Sequence, residues 1–467
     1  MPEATGSARP GARLVTSVLV VALCLGGAPA ATAKVLRTRR LAPGVIYRSL
    51  KLKGPNRVKV VSIDRSKSST LDVELGTNRL PGLERTSSMA RRRNAVVAIN
   101  GDYAAPSGRP VMAFAEDGHL VQTPVVWGRN FALSRDEKNA YVGHPRLETS
   151  ILAGGKGGPI GRVNRGAPTT KRLAEYTPVG ASDGQPPGHG CATRLRPLED
   201  PRLAAAYAGV QATHRVDVAG CFGHQVRRKG GVVVAAARRG AGPAFLETLT
   251  PGQKVALRWS LGWRGVFDAI GGNPALVERG HVAVDPVNDP FFNRHPRTGV
   301  GVSRGKVLFV TVDGRQPRYS VGMTPQRFAR LFVSLGARTA LNLDGGGSTT
   351  MVAGGRVMNR PSDGRERPVS SALLLLRRGD SQRRRHRSGA APAAIPPAAG
   401  PPVRAPGTPA AAPPVEVPPL RTPGTRTVWD KIATDPASTG GLASWLDSTG
   451  RDLPSGLQRT ADRFARR

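Results

Sequence analysis

Ten consecutive residues, Asn342-Leu343-Asp344-Gly345-Gly346-Gly347-Ser348-Thr349-Thr350-Met351, put one acid, three glycines and three hydroxyls into a single stretch. Glycine admits positive φ and lets a ligand approach the main chain closely. A carboxylate beside free N–H groups and hydroxyls can exchange protons and bind oxygen-rich ligands. Four more polar loops follow apolar runs: Asn100-Gly101-Asp102-Tyr103, Gly271-Gly272-Asn273, His295-Pro296-Arg297-Thr298 and Asp313-Gly314-Arg315. Singly, each is equally well a turn. Together they are the pattern of a site on one side of a sheet. Arginine forks grip phosphate in bidentate fashion, glycine loops offer N–H groups, and carboxylates serve an oxocarbenium-like transition state. The chemistry they suit is that of an anionic sugar.

The elements that must position these loops are short. Val58 to Asp64 and Leu71 to Leu75 alternate with period two, and Ala95 to Ile99 is a wholly apolar run of the buried-strand kind. Asp117-Gly118 predicts a hairpin. Val266 to Ile270 leads into the Gly271 loop, and Gly299 to Val302 with Val307 to Val312 forms another hairpin. Thr324 and Pro325 suit the cap and first turn of a helix. Phe328, Leu331, Phe332 and Leu335 give that helix one apolar face, and Gly336 stops it. Thr86 to Arg93 is a shorter helix. Residues 144–225, with prolines, the run Gly154 to Gly158 and a helical piece at Leu203 to Ala208, read as a loop-rich insertion.

Several familiar signatures are missing: HExxH, an EF-hand loop and a phosphate-binding GxxxxGK[ST]. Gly301-Val302-Ser303-Arg304-Gly305 matches GxSxG, but Ser303 falls between two strands, where a nucleophile elbow needs a strand-to-helix turn.

The glycine stretch closely resembles the hallmark of the phosphodiester glycosidase family. The resemblance extends, in the family's order, to Asn100–Tyr103, Ala269–Pro274, His295–Thr298, Val312–Arg315 and Arg367-Pro368-Val369. It runs from about Lys34 to Arg377, weakly across 144–225. It implies an α+β domain, expected here as a mixed, largely antiparallel β-sheet with packed helices. It also implies hydrolysis of a sugar-1-phosphodiester on the sugar side. By resemblance, Asp344 is the catalytic carboxylate and Asp102 a second one. Asn100, Arg297, Asp313, Asn342 and Ser348 join them, with Gly271, Gly272, Arg315, Gly345, Gly346, Gly347 and Thr349 lining the substrate. Arg297, with His295 beside it, would hold the phosphate. A phosphate is already a good leaving group, so strong general-acid help is dispensable. No ligand spacing predicts a cofactor or metal, although a calcium ion beside the acidic loops is left open.

Composition sets the surroundings. The 467 residues carry 69 Lys and Arg against 32 Asp and Glu, a formal charge of +37, which favours polyanionic partners. Arg9 and Arg13, the apolar run Leu14 to Leu25 and Ala31-Thr32-Ala33 have the form of a secretory signal over residues 1–33. Export makes nucleic acid the less apt polyanion and an anionic cell-wall polymer the better one. After cleavage two cysteines remain, Cys191 and Cys221, and an oxidising compartment favours their pairing. The core domain is expected over 34–378. Residues 379–425, rich in Pro, Ala and Arg, read as a linker, and 426–467 as a tail of marginal helices or disorder. No stretch of the mature chain is long and apolar enough to span a bilayer. The leading function is a secreted glycosidase of an anionic envelope glycan or exopolysaccharide. Two others stay open: a glycosidase of an unphosphorylated envelope glycan, and a non-catalytic wall-binding protein.

Overall fold

A computed structural model describes residues 33–66, 69–125, 128–180, 190–198, 213–221, 226 and 231–377. The signal segment, the helical piece at 203–208, the linker and the tail lie outside the described residues.

The α+β expectation is corrected. The structure is 49% strand and 11% helical, arranged in several sheets that include a seven-stranded barrel. The described α-helices are α1 (Thr86–Arg92), α2 (Ala241–Glu247) and α3 (Pro325–Ser334). They are too short to form a layer. Strands of two to nine residues, many of them joined by tight turns, pair with one another instead.

Two sheets face each other across the main core. The larger has eight strands, and its central ones include Asn56–Asp64, Arg297–Ser303, Lys306–Val312 and Thr339–Asn342. The facing five-stranded sheet contains Ser69–Leu75, Val97–Asn100, Met351–Ala353 and Ser371–Arg377. Val61, Ile63 and Phe309 from one meet Val73, Ile99 and Leu375 from the other. α3 covers the outer face of the larger sheet through Phe328 and Phe332. Thr324 caps it, its Oγ1 accepting from Arg327 N at 3.2 Å. A second five-stranded sheet, including Phe114–Glu116, Arg129–Ser134, Ala140–Gly143 and Val266–Gly272, adds Phe114, Phe131 and Ile270 to the same core.

The loop-rich reading of 144–225 is also corrected. This stretch supplies Glu148–Ala153, Lys156–Val163, Leu173–Tyr176, Cys191–Pro197 and His214–Cys221 to the barrel, which Val232–Ala236 and Lys254–Ser260 complete. Only Gly154 and Gly155 of the glycine run form a turn, at positive φ, while Gly157 and Gly158 are strand residues. Cys191 and Cys221 sit directly opposite each other on paired strands and are joined by a disulfide. The barrel leaves and re-enters the body at one neck. There Arg146 N donates to Leu261 O at 2.9 Å, and the rings of Tyr141 and Trp263 stack with centroids 5.7 Å apart.

Candidate active site

The strand Thr339–Asn342 ends where its partner strands also stop, so the glycine stretch leaves the sheet edge as a loop. Two main-chain bonds fix its path: Asp344 N donates to Gly101 O and Gly346 N to Pro296 O, each at 3.0 Å. Gly346–Ser348 then make one 3-10 turn, with Gly346 at φ +58°. Asp344 is half-buried, and its Oδ1 accepts from Gly345 N at 2.8 Å. Burial raises its carboxyl to about 6, while hydrogen bonds from Ser348 and Gly345 and the charges of Arg367 and Arg315 pull the other way.

Asn100 is fully buried at the end of its strand and ties three segments together. Its Nδ2 donates to the main-chain oxygen of Asp344 at 2.7 Å. Its Oδ1 accepts from Thr298 Oγ1 at 2.7 Å and from Thr350 N at 3.0 Å. Asn100 therefore positions the loop and leaves the Asp344 carboxylate to others. Asp102, two residues on, is buried too. Its Oδ2 accepts from Met112 N at 2.8 Å, and its Oδ1 has no hydrogen-bond partner. Burial above all, and the neighbouring Asp344 in smaller part, raise this carboxyl to about 7. A Cβ on Gly271 would stand 2.5 Å from Asp102 Oδ2, and one on Gly272 would stand 2.5 Å from Asn342 O. These two glycines are what allows the Asp102 and Asn342 segments to close against the Val266–Gly272 strand.

Asn342 donates through Nδ2 to Tyr103 Oη at 2.7 Å and to Asn273 O at 3.0 Å, and its buried Oδ1 has no partner. Tyr103 Oη donates in turn to Asn273 O at 2.5 Å. Burial, then the Asp344 charge, raises the Tyr103 hydroxyl above its ordinary pKa. Tyr103 belongs beside Asp344, although the sequence reading left it out of the site. Its place directly after Asn100-Gly101-Asp102 was the available signal.

Arg297 behaves differently from expectation. It is 2% exposed. Its Nε donates to Met323 O at 3.0 Å, and its Nη2 donates to Phe291 O at 2.6 Å and Asn293 O at 2.9 Å. The guanidinium also lies 4.9 Å from the Phe291 ring centroid. Burial lowers its pKa to about 10. The side chain holds the loop before its own strand. The cations whose charge reaches Asp344 are Arg315 and Arg367, both exposed. Arg315 packs against His295, with Nε 3.4 Å from Nδ1, and its Nη2 would stand 3.2 Å from a Cβ on Gly346. Arg367 donates to Asp363 Oδ2 from Nε at 3.1 Å and from Nη2 at 2.6 Å, and both side chains press on Gly347 where a Cβ would be. Arg367 is a second residue of the site that residue type and spacing alone do not single out. Asp313 is buried, accepting from Arg360 N at 2.9 Å and from Tyr319 Oη at 3.2 Å, and burial raises its carboxyl. It anchors the neighbouring loop. Ser348 and Thr349 are buried in the glycine turn, and the Thr349 Oγ1 has no partner.

Among the described residues, one carboxylate group could hold a cation: Asp72, Asp117 and Asp268, with ligand atoms within 4.8 Å of one another. Arg93 already donates to Asp72 there at 2.5 Å.

The sequence from 204 to 376 matches the family model described as phosphodiester glycosidase. Residues 204–376 carry a phosphodiester glycosidase domain match. The match contains Gly271, Arg297, Asp344 and Arg367, while Asn100 and Asp102 lie before it. A 77-residue stretch is 44% identical to an uncharacterised SPbeta prophage-derived protein of Bacillus subtilis, covering 16% of this chain and 12% of that protein. A hypothetical protein from Synechocystis has a similar fold, at TM-score 0.57 and 21% identity over 74% of this chain and 64% of that chain. This chain thus spans less than two thirds of either relative. The catalytic domain of zebrafish N-acetylglucosamine-1-phosphodiester alpha-N-acetylglucosaminidase, auto-inhibited by its pro-peptide, aligns at TM-score 0.36 and 15% identity over 75% of this chain and 84% of that chain. The phosphodiester glycosidase match supports a function of that general kind.

Proposed function

We propose that the protein hydrolyses a sugar-1-phosphodiester of an anionic envelope glycan or exopolysaccharide, and that it does so outside the cell. The observation that carries this reading is the surroundings of Asp344. One half-buried carboxylate sits in a glycine turn, anchored by Gly345 N–H and Ser348, with the charges of Arg315 and Arg367 within reach. Ionised Asp344 faces the anomeric carbon and stabilises the positive charge that develops as the C1–O bond breaks. The electron pair of that bond leaves with the phosphate, whose charge the two guanidinium groups balance. Water then supplies hydroxyl to C1, and its proton passes to solvent or to a nearby carboxylate. The products are a free sugar and a phosphate monoester.

The test uses the mature protein and a synthetic glycosyl phosphodiester, with released sugar as the readout. Turnover by the wild type and its loss in Asp344→Asn is the expected result. Equal turnover by the two proteins overturns the assignment.

A further inference from the structure

A row of cations crosses three successive strands of the larger sheet, at the end that carries Asp344. Strand Lys34–Ala42 forms the sheet edge, followed by Val45–Leu52 and Asn56–Asp64. Lys34 pairs with Lys51, and Lys51 with Arg57. Directly opposed residues of antiparallel strands point to the same face, and like charges so placed destabilise the sheet. Here three successive strands repeat the arrangement. Among the described residues, none of the three makes a salt bridge within 4 Å, and Arg57 Nε is buried without a partner.

Toward the glycine turn the next position in register is the buried acid Asp313, and the further cations lie beside Tyr319. Arg57 lies 5.4 Å from the Tyr319 ring centroid, and Arg360 lies at the same distance. Asp313 N donates to Arg57 O at 3.0 Å, which carries the register to the strand that pairs with Arg297–Ser303. Pro296 O, just before that strand, accepts from Gly346 N. With adjacent strands about 4.8 Å apart, five steps from Lys34 to the turn span about 24 Å. A single sugar phosphate at Asp344 reaches none of Lys34, Lys51 or Arg57.

We propose that this row is a binding track for a polymer of phosphate-linked sugars, so that the substrate is a chain with repeating negative charge whose reacting unit lies at Asp344. The inference rests on the glycosidase reading above for the reacting end alone. Repeated anions offset the repulsion among Lys34, Lys51 and Arg57, and Arg360 beside Tyr319 adds a further cation on the way to Asp344.

The experiment compares the full-length wild type with the exposed-edge variant Lys34→Ser/Lys51→Ser. The probes are a purified sugar-1-phosphate polymer, the monomeric sugar 1-phosphate and single-stranded DNA. The expected result is at least tenfold tighter binding of polymer than of monomer by the wild type. In the variant that advantage is lost, the slope of log affinity against log salt falls by about 2, monomer binding stays unchanged, and the thermal midpoint does not fall, since opposed like charges have been removed. Equal polymer affinity in wild type and variant overturns the track. DNA bound as tightly as the polymer, with the same loss in the variant, overturns the glycan assignment in favour of a nucleic-acid surface. A polymer bound through these residues but never hydrolysed supports the track and overturns the glycosidase reading instead.

Discussion

The side-chain amide of Asn100 donates to the main-chain carbonyl of Asp344 across 2.7 Å, joining residues 244 positions apart. The same side chain satisfies Thr298 Oγ1 and Thr350 N, so one buried amide sets where the carboxylate loop stands relative to both sheets. Replacing it by alanine removes the partner of three groups at once, two of them on the fully buried Thr298 and Thr350. Asn100→Ala is expected to lower stability by about 2–4 kcal/mol and to reduce turnover more than substrate binding. A chemical-denaturation midpoint with steady-state kinetics checks both. An unchanged midpoint would show that water replaces the amide freely.

Rate should depend on pH through Asp344. Its carboxyl is raised to about 6, and the charged form is the one proposed to act. Activity on a phosphodiester is therefore expected to rise with pH through about 6 and then level. Arg367→Gln removes a charge that favours ionisation, so the rising limb should move to higher pH. A limb that stays in place would mean that Arg367 does not act on Asp344.

Asp102 gives a stability signature with the opposite sign to an ordinary ion-paired carboxylate. Its carboxyl is raised to about 7 by burial, so the native protein holds a proton that the unfolded chain has lost. Stability should fall as pH rises from about 4 to about 7 and change little beyond. Asp102→Asn keeps an acceptor for Met112 N and carries no charge. The variant is expected to match the wild type near pH 4 and to exceed it by about 2–4 kcal/mol at pH 8. Melting curves at the two pH values decide it, and an equal gap at both contradicts the burial argument.

Two glycine substitutions should separate folding from function. Gly271→Ala presses on Asp102 and on Met112 Cβ in the packed interior, so a loss of about 1–3 kcal/mol is expected. Gly347→Ala presses only on the ends of Asp363 and Arg367. Those side chains can swing aside, so the thermal midpoint should hold while turnover drops. A Gly347→Ala protein with full turnover would remove Arg367 from the mechanism.

What was legible in the sequence follows from the range of the forces involved. Thr324, Pro325 and the four apolar residues after them defined α3 because caps and helical periodicity are local. Asp117 and Gly118 defined their hairpin because both adopt positive φ. The barrel was hidden. Gly157 and Gly158 belong to a strand because Ile151 and Leu173 of neighbouring strands fill the space their side chains would take, and nothing nearby in the sequence reports that. Arg297 misled for a similar reason. Its charge pointed to an anion, yet its partners are the carbonyls of Phe291, Asn293 and Met323. The excess of α-helix in the expected fold came with the family resemblance, whereas the helices themselves are too short to form a layer.

The stacked rings of Tyr141 and Trp263 close the neck through which the chain enters and leaves the barrel. Where the chain leaves for the barrel and returns, Arg146 N donates to Leu261 O at 2.9 Å, so the two ends of the excursion are adjacent. A short linker joins them, which makes the barrel a removable cassette. In this architecture a lineage could exchange the cassette, or lose it, while keeping the carboxylate and its arginines in register.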